Sequence, residues 1–201
     1  MTKAESGPSA HSDMKPDTKV TTGGRNPHEH HGYVNTPVYH ASTLLYRTAE
    51  DYLAHRSRYS YGRRGTPTSE ALEKAVQAIE GPACAGVALL PSGLAAISTA
   101  LLSVLHAGDN VLVCDNAYGP TRKFCDDVLS RYGVTATYYD PLAGAGIAGL
   151  MQPNTRAVFT EAPGSLTFEM QDIPAIAAVA HERGASVLMD NTWASPLYFK
   201  A

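Results

Sequence analysis

The residues best suited to chemistry lie where apolar runs of the sequence stop. The run Val187–Met189 is followed at once by Asp190, and another apolar run ends in the turn Pro91-Ser92-Gly93. A buried carboxylate needs a cation or several hydrogen-bond donors, or it takes up a proton. Backbone N–H groups at the start of a helix bind phosphate. Taken alone, a helix cap or internal salt bridge explains Asp190 equally well, and an ordinary turn explains the Ser92 segment better.

Two more apolar runs end in residues that can contact a ligand. Tyr118 follows "NVLV" and can stack on a flat ring, whereas Glu161 and Ser165 follow "AVFT". In open α/β sheets, ligands bind beyond the carboxyl ends of the strands. Each position also has a plainer interpretation: Tyr118 as a partly buried loop residue, and "EAPGS" as a simple turn made by Pro163 and Gly164.

The tract "RSRYSYGRRG" places four arginines around Tyr59 and Tyr61. The planar guanidinium of arginine is suited to binding phosphate and carboxylate. A solvated basic loop is the commoner structure for such a tract. Binding of single-stranded nucleic acid is disfavoured, because the tract is short and the remaining chain is acidic.

The run "HEHH", His28–His31, is the one candidate for metal ligation. It lies outside every predicted helix, so its spacing places no two imidazoles on a common face. We therefore assign no metal site.

Helical and extended patterns alternate from Tyr59 onward. The helix over 66–81 can be capped by Thr66 or Thr68, and its apolar face holds Leu72, Val76 and Ile79. The other predicted helices span 94–108, 119–133 and 172–184, and the predicted strands span 86–90, 110–113, 134–140, 155–162 and 185–190. Apolar strands that alternate with capped helices predict an α/β fold with a parallel sheet covered on both faces.

Composition narrows the class of protein. Hydrophobic residues make up 44% of the 201 residues and charged residues 17%, which is typical of a globular chain. The formal charge of −3 gives no strong attraction to nucleic acid or to an anionic membrane. No segment has a transmembrane length of apolar residues, and the start lacks the apolar core of a secretory signal. The three scattered cysteines fit a cytoplasmic protein with reduced thiols.

Three regions are expected along the chain. Residues 1–19, rich in Ser, Pro, Asp and Lys, predict a disordered tail. Residues 20–62 are rich in Tyr, Thr and His with little periodicity, so we interpret them as an arm that contacts a neighbouring subunit. Residues 63–201 form the first part of the α/β domain.

The motifs "YGRRGTPT", "PSGLAAI", "GDNVLVCDNAYGPT", "EAPGS" and "LMDNTWA" follow one another in this order. Together they resemble the pyridoxal-phosphate-dependent enzymes of cysteine and methionine metabolism, from about Gly24 to Ala201. The resemblance implies the three-layer, mostly parallel sheet of the PLP-dependent transferase (fold type I, aspartate aminotransferase-like) major domain, incomplete in this chain. It also implies pyridoxal 5'-phosphate as the cofactor.

The resemblance further implies two catalytic residues. Asp190 resembles the carboxylate that pairs with the pyridine nitrogen of the cofactor, and Tyr118 resembles the residue stacked on its ring. An ionised Asp190 would keep that nitrogen protonated, so that the ring can accept electron density from the substrate.

Further cofactor-binding residues follow from the same resemblance. Ser92, Gly93 and Leu94 resemble the phosphate loop, and Ser165 lies where relatives place a polar residue near the phenolic oxygen or the substrate carboxylate. Two more residues, Tyr61 and Arg63, resemble phosphate ligands that arrive from the neighbouring subunit. The role of Arg64 stays open; it can simply face the substrate entrance.

The implied activity is β-elimination of L-cystathionine to homocysteine, pyruvate and ammonia, a step of methionine biosynthesis. The implied assembly is a homo-oligomer with shared active sites, expected as a tetramer built from two dimers. A γ-lyase or γ-replacing synthase on the same scaffold is the first alternative. A non-catalytic oligomerisation partner that keeps the cofactor pocket is the second.

The sequence departs from the family pattern at two places. Ala162 replaces a serine often found before the proline of that motif. The Schiff-base lysine of the family follows "DNTWA" at a greater distance than Lys200, which matches a non-catalytic stretch, so we expect that lysine beyond Ala201. The domain that supplies an arginine for the substrate carboxylate is also not matched. The chain is therefore expected to be the N-terminal part of a larger enzyme.

Overall fold

The computed structural model describes residues 14–201, which form two compact units. The first unit runs up to Leu89 and the second comprises Leu90–Ala201. No helix within the described range is long and apolar enough to cross a membrane.

The first unit is built from short helices and one longer helix. The helices are α1 (Pro16–Thr22), α2 (Ala49–Leu53) and α3 (Pro67–Glu80), with a 3-10 turn at Pro27–His30. The helix predicted over 66–81 is confirmed, and Thr66 is its cap. The Thr66 hydroxyl accepts from the Ser69 amide at 3.2 Å, and the Ser69 hydroxyl accepts from the Thr66 amide at 2.9 Å.

The predicted apolar face of α3 is not buried within the described chain. Leu72 is 54% exposed, and no residue of α3 is buried. The 3.6-residue period identifies the apolar face of α3. Burial of that face also requires a surface that packs against it, and residues 14–89 supply too little of such a surface.

Helix α1 lies partly in the stretch expected as a tail up to Lys19. Its hydroxyls bond back along the helix, as Thr22 does to the Thr18 carbonyl at 2.7 Å, and α1 packs against α3. Gly24 follows with a φ of 73°, and a Cβ there would lie 2.0 Å from the Ala71 carbonyl oxygen. This close approach gives the segment a packing partner that composition alone does not reveal. Residues 1–13 of the expected tail lie outside the described range.

The second unit holds the parallel sheet. Its strands are β1 (Asn110–Cys114), β2 (Thr135–Tyr139), β3 (Thr155–Glu161) and β4 (Ser186–Asp190), in the order β2-β1-β3-β4. The helices are α4 (Gly93–Val104), α5 (Gly119–Asp127), α6 (Ile173–Glu182) and the short α7 (Ser195–Tyr198). Helix α6, predicted over 172–184, is capped by Asp172, whose carboxylate accepts from the Ala175 amide at 3.1 Å.

The register of the central strands is held by a buried polar network. Asn110 in β1 donates to Thr137 of β2 at 2.9 Å, and Thr155 of β3 donates to Asn110 at 2.8 Å. Because a polar side chain buried without a partner costs free energy, this arrangement favours one register over its neighbours. All five residues of β1 are buried, which explains the continuous apolar pattern of "NVLV".

Four predicted elements differ from the structure. The helix expected over 94–108 ends at Val104. Residues 86–90 form no strand, because a strand needs a hydrogen-bonded neighbour and the described chain provides none there. The helix expected over 119–133 ends at Asp127 and is followed by a 3-10 turn at Leu129–Tyr132. Strand β4, whose continuous apolar pattern predicts full burial, is half-exposed; within residues 14–201 it pairs on one side only, with β3.

Candidate active site

The carboxyl ends of β1, β3 and β4 meet at one edge of the sheet. Glu161 ends β3 and Asp190 ends β4, and the two residues are direct register partners. Tyr118 lies four residues beyond the end of β1 and begins α5. Since parallel strands present their carboxyl ends at the same edge, the structure brings these three residues into one region.

Helix α4 directs its N-terminus toward the same edge. Its C-terminus, Val104, is followed by a short connection to the start of β1, and α4 packs on β3 and β4. Ser92 is the cap, and its hydroxyl accepts from the Ala95 amide at 3.1 Å. The first amides of a helix have no intrahelical acceptor, so those of Gly93 and Leu94 can donate to an anion. A Cβ placed on Gly93 would meet nothing within 4 Å, which shows open space at this end.

Tyr118 is held by its backbone while its ring faces outward. Its amide donates to Glu161 Oε2 at 2.8 Å, and its carbonyl accepts from the Thr121 amide at 2.8 Å. The residue is 47% exposed. A ring that is fixed at its base and open on one side is suited to stacking on a planar ligand.

The "EAPGS" turn is joined to the segment before Tyr118. The Ser165 amide donates to the Asn116 carbonyl at 2.9 Å. A Cβ on Gly164 would lie 1.9 Å from Asn116 Nδ2, so only glycine fits at this contact. The turn is therefore fixed against the loop that carries Tyr118, and Ser165 is half-buried beside it.

Two carboxyl groups of different character stand side by side at this edge. Asp190 is half-buried, and its Oδ1 accepts from the Thr192 amide at 3.0 Å. Glu161 is only 4% exposed. Burial is the main reason that the pKa of Glu161 is raised; the Tyr118 amide opposes this, and the negative charge of Asp190 adds to it. Asp190 is thus the more accessible carboxyl, and it suits pairing with a protonated ring nitrogen.

The remaining predicted site residues belong to the first unit. Tyr61 pairs with Thr43 in an isolated antiparallel bridge, and the next amide, Gly62, donates to the Ser42 carbonyl at 2.7 Å. Tyr61, Arg63 and Arg64 are exposed. The Arg63 side chain has no hydrogen bond or ion pair within residues 14–201, so its guanidinium can bind an external anion.

The sequence presents Glu161 only as a strand end, and no motif marks it as a site residue. Its bond to Tyr118 spans 43 positions of the chain. The available signal in the sequence is a carboxylate that follows an apolar run. The donor to that carboxylate, the Tyr118 amide, is visible only in the folded chain.

The residues present fit pyridoxal phosphate. A helix N-terminus with open space suits the phosphate, the Tyr118 ring suits the pyridine ring, and Asp190 suits its nitrogen. For a metal, no group of three His, Cys, Asp or Glu side chains in residues 14–201 is placed to hold one. The histidines of "HEHH" lie in and just after the 3-10 turn Pro27–His30.

The model of the family described as "Cys/Met metabolism PLP-dependent enzyme" matches residues 17–201. The chain belongs to this family. Pyridoxal phosphate is accordingly its cofactor, as the motif order predicted.

Relatives of this chain carry more than one name. A Rhizobium johnstonii protein that bears a cystathionine beta-lyase name is 54% identical over 92% of this chain and 46% of its own length. Cystathionine beta-lyase MetC of Escherichia coli is 41% identical over 94% of this chain and 49% of its own length. An L-alanine/L-glutamate racemase of Wolbachia pipientis is 39% identical over 93% of this chain and 49% of its own length. The chain spans about half the length of the curated relatives it matches.

Two solved structures confirm the fold. The crystal structure of metB from Corynebacterium glutamicum superposes with a TM-score of 0.85 at 30% identity, over 92% of this chain and 47% of that one. A cystathionine gamma-lyase from Lactobacillus plantarum superposes with a TM-score of 0.83 at 32% identity, over 91% of this chain and 46% of that one. The predicted PLP-dependent transferase fold is therefore confirmed for the part that this chain represents.

Proposed function

We propose that the polypeptide containing this chain is a carbon–sulfur lyase that acts on L-cystathionine by β-elimination. With one water consumed, the products are homocysteine, pyruvate and ammonia. The observation that carries the chemistry is Asp190, an accessible carboxylate at the carboxyl end of β4. The names of the relatives at 54% and 41% identity support the substrate.

Bound pyridoxal phosphate supplies an electron sink for the charge that develops when the substrate Cα loses its proton. The role proposed for Asp190 is to hold the ring nitrogen in its protonated form. Tyr118 stacks on the ring, and the amides of Gly93 and Leu94 with the Ser92 hydroxyl bind the phosphate. Ser165 orients either the phenolic oxygen of the cofactor or the substrate carboxylate.

The lysine that carries the cofactor is proposed to lie outside residues 1–201. Lys200 is exposed and follows the short helix α7, beyond the aromatic pair Tyr198-Phe199. Borohydride reduction of the holoenzyme followed by peptide mapping tests the assignment. We expect a phosphopyridoxyl label on another lysine, and stoichiometric label on Lys200 would overturn the assignment.

Product analysis tests the reaction itself. The full natural polypeptide, given L-cystathionine, should release pyruvate and homocysteine. Release of 2-oxobutyrate and cysteine instead would establish the second candidate, a γ-lyase, which the structural likeness to the Lactobacillus plantarum enzyme favours. Turnover of neither kind would reject both lyase proposals.

The assembly is proposed to be a homo-oligomer, a tetramer of two dimers, in which Tyr61 and Arg63 bind the phosphate of a neighbouring subunit. The exposed apolar side chains of the first unit and the unpaired Arg63 within residues 14–201 support this proposal. Mixing Arg63→Ala subunits with Asp190→Asn subunits should restore activity, because a mixed dimer then contains one intact site. Failure to regain activity in verified mixed dimers would contradict a shared site. A cytoplasmic location is proposed as well, since all three cysteines are free thiols.

A further inference from the structure

Tyr118, the cap residue of α5, is anchored at both its backbone amide and its backbone carbonyl. Tyr118 caps α5, but no side chain at the cap position bonds to the helix. The Tyr118 carbonyl is used by the amides of Thr121 and Arg122, at 2.8 and 3.2 Å. Its amide instead reaches a side chain from another strand, Glu161 of β3, at 2.8 Å. The backbone of Tyr118 is thus fixed on both sides, while its ring stays half-exposed.

Glu161 is itself held rigidly. It is 4% exposed, and Gln171 donates to its backbone carbonyl at 2.8 Å. The Tyr139 hydroxyl lies 2.8 Å from Gln171 Oε1, which completes a buried chain of hydrogen bonds at the end of β3. The carboxyl group of Glu161 is buried beside this network, and burial of such a group is costly unless the group is hydrogen-bonded. Among the residues described, the Tyr118 amide is the one donor to the Glu161 carboxyl group.

The protonation state of Glu161 does not alter this contact. Burial and the adjacent Asp190 raise its pKa, so the group takes up a proton more readily than an exposed glutamate. In either state one carboxyl oxygen remains free to accept the Tyr118 N–H. The contact therefore depends on an oxygen acceptor at this position, and a glutamine preserves that acceptor.

We propose that Glu161 is a positioning residue for the cofactor, acting through the Tyr118 amide to fix the aromatic ring that stacks on pyridoxal phosphate. The inference rests on the proposed role of Tyr118 at the cofactor and extends it to a residue that does not touch the cofactor. Ring stacking depends on tilt and distance, and a loop residue held at its carbonyl alone is free to rotate.

Two substitutions of similar size separate this role from a general structural one. Glu161→Gln keeps an oxygen acceptor, whereas Glu161→Met keeps the side-chain length but removes the acceptor. Glu169→Ala serves as the control, since Glu169 lies in the loop that follows β3 and its side chain bonds only to Thr167 among the described residues. All three are made in the full natural polypeptide, and the cofactor dissociation constant is measured without substrate.

We expect Glu161→Met to weaken cofactor binding about tenfold, the upper size for loss of one buried hydrogen bond. It should also reduce the visible circular dichroism of the cofactor-saturated protein. Glu161→Gln and the Glu169→Ala control should stay within about twofold of wild type in both measurements. Equal behaviour of the Gln and Met variants would overturn the proposal.

Hydrogen exchange of the Tyr118 amide in the cofactor-free wild type keeps the test decisive if Glu161→Met fails to fold. A slow amide supports the bond to Glu161, and exchange as fast as that of the Gly93 amide overturns the proposal. A wild type that binds cofactor as expected but does not act on cystathionine would reject the proposed lyase and leave the positioning role standing.

Discussion

The two compact units of the chain differ most in what they bury. Among residues 14–89 none is buried, even in the well-formed helix α3. In Leu90–Ala201 the strands β1 and β3 and one face each of α4 and α6 form a continuous core. Leu112 at the centre of β1 is 0% exposed, whereas Leu72 on α3 is 54% exposed.

This difference indicates two sources of stability. The second unit owes its fold to apolar side chains removed from water within its own sheet and helices. Within residues 14–89 the first unit has caps, turns and ion pairs but no buried core, and its apolar side chains at Val38, Leu45 and Leu53 are exposed. Apolar surface of this extent is typical of a region that another surface covers. The contrast thus supports the proposal that the first unit functions as an arm in an oligomer.

Paired leucine truncations should give the largest difference between the units. Leu112→Ala removes a fully buried side chain and should lower the free energy of unfolding by about 2–5 kcal/mol. Leu72→Ala changes a half-exposed helix position and should stay within about 0.5 kcal/mol in a dissociated subunit. Urea unfolding of the full natural polypeptide measures both. Equal losses in dissociated subunits would contradict the contrast, while a loss for Leu72→Ala that grows with protein concentration would show that another subunit covers α3.

The same contrast explains which elements the sequence predicts well. Periodicity and caps located α3, α6 and the four strands, because their signals are local: Thr66, Asp172 and the apolar run of β1 act within a few residues. Residues 86–90 have the composition of a strand, but pairing is a property of two segments and the described chain offers no second one. The half-exposed β4 has the same cause. Its apolar pattern is typical of a strand with a neighbour on each side, and β3 is its one neighbour within residues 14–201.

In the candidate site, too, the positions of some residues follow from local sequence, whereas their contacts depend on the fold. The positions of Asp190 and Tyr118 at this edge of the sheet were predictable, because Asp190 ends a strand pattern, Tyr118 follows four residues after one, and each lies in a family motif. The hydrogen bond from Tyr118 to Glu161 was not, since it depends on how β1 and β3 lie in register. The contact of Gly164 with Asn116 is likewise visible only once the two loops are folded together.

Asp190→Asn tests the chemistry assigned to the second unit. Asparagine keeps an oxygen for the Thr192 amide but carries no charge to hold the ring nitrogen protonated. We expect pyruvate formation to fall about 10²–10³-fold, the usual size for loss of one preorganised electrostatic partner. The melting temperature should change little. Turnover close to wild type in a cofactor-saturated Asp190→Asn protein would refute the assignment.

Two arginines of the first unit should differ in their effect on cofactor binding. Arg58 forms an ion pair with Glu70 and lies over the Tyr59 ring at 5.6 Å, so it is engaged within its own unit. Arg63 has no such partner among the residues described. Loss of a charge-assisted pair with phosphate costs about 1.5–3 kcal/mol. Arg63→Ala should therefore weaken cofactor binding clearly more than Arg58→Ala, as measured by equilibrium dialysis, and equal affinities would remove Arg63 from the phosphate site.

The smallest expected effect concerns one glutamate from each unit, whose pKa values shift in opposite directions. Lys74 first, then Tyr59 and Arg58, lower the pKa of Glu70 to about 2, whereas burial raises the pKa of Glu161.

The lowered pKa of Glu70 means that the folded state favours the ionised form. Its contribution to stability is therefore present above the ordinary pKa of 4.5 and is lost as the pH falls from there toward 2. Because the ion pairs of Glu70 are largely open to solvent, we expect them to contribute about 1 kcal/mol to the free energy of unfolding.

The contribution of Glu161 has the opposite dependence on pH. It is present below the ordinary pKa of the group and is lost as the pH rises through the raised pKa. Urea midpoints are measured between pH 2.5 and 7 in steps of about half a pH unit. Glu70→Gln should reduce the loss of stability at acid pH, and Glu161→Gln should reduce the loss of stability at higher pH. An acid limb that is unchanged in Glu70→Gln would show that the ion pairs around Glu70 add nothing to the stability of the first unit.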